Sequence, residues 1–139
     1  MPFENGSLKA NGSIRRARFV KIDTSADNLC LEADANEAII GISSDSAQDA
    51  PIPGASATAA EAGDMLQINT IGTFCLLEAG TGGWTPGAEI KSDADGKGVS
   101  VATTGTTIQE IGAIAYSTAA AGDLRRVLVF RGSRRPALV

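Results

Sequence analysis

Hydrophobic runs and turn formers recur in the same order in the two halves of this chain, and that recurrence restricts its folds more than any single motif. Val20-Lys21-Ile22-Asp23 lines up with Ile90-Lys91-Ser92-Asp93, seventy positions further on. The turn Ser25 to Asn28 answers Asp95 to Gly98, and Leu29-Cys30-Leu31 answers Val99-Ser100-Val101. Each stretch reads as a β-hairpin, in which short strands flank residues that accept left-handed backbone angles. Asp95-Gly96 is the expected reversal of the second, because Gly reaches positive φ without a Cβ clash. Downstream, Ala38-Ile39-Ile40-Gly41-Ile42 answers Gln109-Glu110-Ile111-Gly112-Ala113-Ile114, and Glu61-Ala62-Gly63-Asp64-Met65 answers Ala120-Ala121-Gly122-Asp123-Leu124. We therefore expect an all-β chain made of two pseudo-repeated units, residues 15–79 and 86–131.

At 139 residues the chain suits one domain of two joined half-units better than two separate domains. With four Phe, one Tyr and one Trp, the core must be built from Ile, Val, Leu and Ala. Thin aliphatic layers of this kind gain from self-association. Charge is segregated: Ile22 to Asp123 holds fifteen acids against two bases, whereas the two ends hold one acid, Glu4, and ten bases. A nucleic-acid binder would pair a basic surface with aromatic platforms or a known module. Neither pattern is present, so no nucleic-acid partner is expected. No signal peptide or membrane-spanning apolar run is evident, so synthesis in a cytoplasm is expected. Cys30 and Cys75 read as small strand residues, and a bridge between them stays open.

Residues 1–14 read as a flexible N-terminal arm, with Phe3 and Leu8 spaced by Asn-Gly-Ser units. Ile14 to Lys21 is expected as the first strand, carrying Arg15, Arg16 and Arg18. Asp45 to Ala62, rich in Ala, Ser, Pro and Gly, reads as a long loop. Trp84, among glycines, is either a lid over the core edge or an anchor for a partner. Leu124 to Phe130 is the most continuous apolar strand, and residues 132–139 form a basic tail with Arg134 and Arg135.

Catalytic chemistry is hard to place. The chain has no histidine, which removes histidine triads and histidine-ligated metals. No Gly-x-Ser-x-Gly elbow, Walker loop or dinucleotide fingerprint occurs. Asp93-Ala-Asp95-Gly96 opens like a calcium loop, but Lys97 and Thr104 stand where ligands belong. Turn chemistry accounts for both aspartates. Lys97 lies near a hairpin tip, as the modified lysine of lipoyl and biotinyl domains does, but its flanking residues do not match those families. We expect no enzyme, no cofactor and no metal.

The run Lys91-Ser-Asp-Ala-Asp-Gly-Lys-Gly-Val99 after Pro86-Gly87, then Ile111-Gly112-Ala113-Ile114-Ala115 and Gly122-Asp123 before a Val-rich strand, resembles the head decoration, or cement, proteins of tailed bacteriophages. Arg18-Phe-Val-Lys-Ile-Asp23 and Ile40-Gly41-Ile42 extend the resemblance from about Arg15 to Phe130. It implies a small β-barrel-like or β-tulip domain on the outside of an icosahedral capsid in the virion. Such a protein is expected as a homotrimer that clamps neighbouring major capsid protein subunits, with no membrane partner. On this view Phe3, Leu8, Arg15, Arg16, Trp84, Arg134 and Arg135 are the expected capsid or subunit contacts. The alternative is a secreted or cell-surface carbohydrate-binding β domain, which should carry a groove lined by several aromatics.

Overall fold

The computed structural model describes residues 7–44, 58–102 and 107–134, and these form strands and turns without a helix. The first unit contains β1 (Ser7–Ala10), β2 (Ile14–Arg15), β3 (Phe19–Asp23), β4 (Leu29–Glu32), β5 (Gly41–Ser43), β6 (Thr58–Ala60) and β7 (Met65–Thr70). Five of them close a barrel in the order β1-β4-β3-β5-β7, while β2 and β6 pair as a separate ribbon. The second unit contains β8 (Phe74–Glu78), β9 (Glu89–Ser92), β10 (Gly98–Ser100), β11 (Gln109–Ala115) and β12 (Leu124–Arg134). They form a five-stranded sheet in the order β10-β9-β11-β12-β8.

Period-two alternation decides which side chains fill each unit. On β7, Leu66 and Ile68 are buried while Met65 and Gln67 are exposed. On β12, Val127 and Val129 turn inward between Arg126, Leu128 and Phe130. Two core clusters result. One contains Ala10, Ile14, Val20, Cys30, Leu66 and Ile68. The other is built around Leu77, Ile90, Ala113, Val127 and Val129, and draws in Phe19, Ile39 and Ile42 from the first unit.

Reading from β1 and from β8, the two sheets share one strand order: β1-β7-β5-β3-β4 and β8-β12-β11-β9-β10. The barrel is closed by a parallel pairing of β1 with β4. At the same place in the second unit stands a single parallel bridge, Ala79 to Gly98. The Gly-Asp turns agree bond for bond. Gly63 N donates to Ala10 O at 2.8 Å and Gly122 N to Ala79 O at 2.9 Å, while Ala10 N and Ala79 N donate to Asp64 O and Asp123 O, both at 2.8 Å.

The structure shifts the correspondence read from sequence. Cys30 lies opposite Ile22 and Gly98 lies opposite Ser92, so Leu31 rather than Leu29 matches Val99. The second hairpin turn is two residues shorter. Gly41 is opposite Val20 and Ala113 opposite Ile90, which moves the Ile-Gly match by one. A bulge between Ile111 and Ala113 absorbs the difference.

Three sequence expectations are corrected. Residues 7–14 are not an arm: β1 pairs with both β4 and β7, and Ala10 and Ile14 are buried. Four short residues achieve this because closing the barrel satisfies their backbone on both sides. Residues 1–6 lie outside the described residues. The expected strand Ile14 to Lys21 is broken at Ala17, whose φ is 53°; Ala17 N donates to Ser44 O and its carbonyl accepts from Glu78 N. The last strand continues through Arg134, which pairs with Gln109, so the tail cannot begin at residue 132. Most of the expected loop Asp45 to Ala62 lies outside the described residues, but its end is strand β6, with Ala60 opposite Ile14.

Candidate functional site

Two arginines of the basic segment before the first hairpin, Arg15 and Arg18, are paired within the molecule. The bend at Ala17 turns Arg18 inward, where it is 6% exposed. Its Nη1 donates to Asp95 O at 2.9 Å, and its Nη2 lies 3.3 Å from Glu78 Oε2. Lys97 Nζ stands 3.3 Å from the same oxygen. Arg15 pairs with Glu32 at 2.7 Å and also donates its backbone N–H to that carboxylate. The hydrogen bond to Glu32 raises the Arg15 pKa above its ordinary value. Phe19 N donates to Gly96 O at 2.8 Å and Glu78 N to Ala17 O at 3.0 Å. These bonds rivet the second hairpin and β8 onto the first unit.

Both hairpin turns use an aspartate in the same way. Asp93 Oδ1 accepts from Asp95 N at 2.8 Å and from Lys97 N at 2.9 Å, and Gly96 takes φ 77°. Asp23 Oδ1 accepts from Ser25 N at 2.9 Å. That bond, helped by Asn11, holds the Asp23 carboxyl below the usual range. Turn geometry thus engages Oδ1 of both Asp23 and Asp93.

The outer face of the second sheet is different in character. Phe74 lies opposite Leu128, and Leu128 opposite Ile114. One row along, Leu76 is opposite Arg126. Phe74 and Tyr116 have ring centroids 5.4 Å apart, and the Arg126 guanidinium carbon lies 4.9 Å from the Phe74 centroid. Both rings are about half exposed, at 48% and 51%. This apolar face with a cation on it is the kind of surface that meets another macromolecule.

The residues expected as contacts fare unevenly. Leu8 packs against the first core cluster and Arg15 is paired as above. Trp84 is 3% exposed within the second cluster, its backbone bridged to Ala119; it is the lid. A buried Trp84 offers no stacking platform for a sugar. Arg16 is half-buried, without a carboxylate partner among the described residues. Arg134 ends β12, and Phe3 and Arg135 lie outside the described residues. The sequence reading did not place Phe74, Tyr116 or Arg126 among the expected contacts. Their signature was present as apolar residues on both phases of β8 and β12, which makes the outward phase of the sheet apolar as well as the inward one.

Residues 7–130 match the family model of phage cement proteins. The chain belongs to that family. The match begins at the first residue of β1, in keeping with its place in the barrel. The fold is also similar to that of the head fiber gp8.5 N base of bacteriophage phi29. The two are 15% identical with a TM-score of 0.63 over 94% of this chain and 96% of that one. No curated protein matches this sequence significantly. A cement protein is a structural component of the phage capsid, and the all-β fold fits that role.

Proposed function

We propose that this chain is a head decoration protein that binds the outside of an assembled phage capsid and stabilises contacts between major capsid protein subunits. The observation that carries the reading is the family match over 7–130. The apolar face around Ile114, Tyr116 and Leu128 supports it, as the surface most ready to be covered. Arg16, Arg134 and Arg135 are proposed as further contacts at the basic ends. A protein that binds the lattice and not its free subunits stabilises the lattice by mass action. As a homotrimer, each later contact would be made at an effective concentration of up to about millimolar, so weak individual contacts suffice. We further propose that the shared strand order of the two units records an internal duplication.

Electron cryomicroscopy of particles carrying the chain tests the reading directly, with density expected on the outer capsid surface. Particles bearing Tyr116→Asp should retain less of the protein after washing than particles bearing the parent chain. Light scattering after size exclusion should give the mass of three chains. Density absent from the exterior, or located within the head, would overturn the proposal.

A further inference from the structure

In the second unit, β8 pairs with β12 on one side alone, and its other edge ends the sheet. Val129 N donates to Thr73 O and Ala79 N to Asp123 O, so the ladder bonds on that side fall at alternate residues, including Cys75 and Leu77. The pleat turns the N–H and C=O of Phe74, Leu76 and Glu78 the other way. Glu78 N reaches Ala17 O at 3.0 Å, which closes one end of the edge from within the chain. Phe74 and Leu76 have no outward main-chain partner among the described residues.

The surroundings of this edge say what fits it. Phe74 and Leu76 line a cavity of about 360 Å³ together with Asn69, Cys75 and Arg126. Arg125 pairs with Asp123 at 3.5 Å, whereas Arg126 has no carboxylate partner among the described residues. One wall of the cavity is thus an uncompensated guanidinium, which a carboxylate would complement by a charge-assisted hydrogen bond. Outward groups on every second residue repeat about every 7 Å, the repeat of an extended chain. A helix keeps its main-chain groups to itself except at its ends, so it cannot satisfy this edge. An uncovered edge flanked by Phe74 and Leu76 is also one that pairs readily with another chain.

We propose that the free edge of β8 takes up an extended, carboxylate-bearing segment of a capsid subunit as an added strand, with its main chain on Phe74 and Leu76 and its carboxylate on Arg126. The inference rests on the capsid-binding reading and names the form in which the partner is bound. Main-chain bonds supply the pairing, and Arg126 selects an acidic segment.

Amide hydrogen exchange read by mass spectrometry tests it on the full chain. In the free protein the amides of Phe74 and Leu76 should exchange fast and those of Cys75 and Leu77 slowly. On capsid particles the Phe74 and Leu76 amides should slow by about tenfold or more. Leu76→Pro removes the outward N–H and leaves the ladder to β12 intact, so particles should retain it about fivefold less well than the parent. Leu76→Thr keeps that N–H and should be retained like the parent, while Arg126→Gln should be retained about tenfold less well. Should Leu76→Pro fail to fold, exchange in the parent chain decides. Phe74 and Leu76 amides as fast on the particle as in solution would overturn the proposal. So would amides already slow in the free chain, which would show the edge covered without a capsid. Loss of Tyr116→Asp from particles that fully retain Leu76→Pro and Arg126→Gln would overturn it and leave capsid binding standing.

Discussion

Gly112 sits where β11 crosses the ring of Phe19. A Cβ built there would lie 2.6 Å from Phe19 Cε1 and 3.0 Å from Ile39 Cγ1. Both neighbours are buried, so neither can swing into solvent to make room. Gly112→Ala should cost about 1–3 kcal/mol, read as a lower urea midpoint with an unchanged slope. Asp23 tells of pH. Its folded-state pKa is lowered by the Ser25 N–H and by Asn11. Its stabilisation is therefore complete above the ordinary value near 3.8 and is lost as pH falls through the lower folded value. Asp23→Asn keeps an acceptor for Ser25 but no titration, so the fall in melting temperature between neutral pH and about pH 2 should be shallower in the variant. At this scale the sequence was informative. Gly96 and the turn aspartates could be recognised because their requirement is local. Ala17 could not, since its left-handed angle is imposed by bonds to Ser44 and Glu78, distant in sequence.

Strand β1 is the element whose meaning changed most between sequence and structure. Ser7-Leu8-Lys9-Ala10 has little apolar content and sits between Asn-Gly-Ser units, which reads as an arm. In the fold it supplies both closing ladders of the barrel, and its carbonyl at Ala10 receives the Gly63 N–H. A chain lacking residues 1–13 should therefore melt lower by about 10 °C or more and expose Cys30 to alkylation. The arm reading requires unchanged melting. The hairpins β3-β4 and β9-β10 were legible because alternation and turn chemistry act within a dozen residues. The order in which β5, β7 and β12 join them was not, since pairing between distant strands leaves no local mark.

Across the whole molecule, the two units share a core as well as a chain. Phe19, Ile39 and Ile42 of the first pack with Leu77, Ile90 and Val129 of the second. Arg18, Glu78 and Lys97 stitch the surface above them. Unfolding either unit would strip the other of part of its core, so calorimetry should show one transition whose van't Hoff and calorimetric enthalpies agree. Two resolved transitions would separate the units energetically. By itself, the sequence determined that the chain is all-β, where its hairpins turn, that its motifs recur in order, and which family it resembles. Each of these rests on alternation, turn formers and their succession, which a linear string preserves. Only the tertiary structure decided that Ser7–Ala10 closes a barrel, that Arg15 and Arg18 pair with carboxylates, Arg18 from a buried position, and that Trp84 is a lid. It also brought Phe74, Tyr116 and Arg126 together on one face. Those outcomes depend on which distant strands become neighbours, and burial or ion pairing is a property of neighbours rather than of residues.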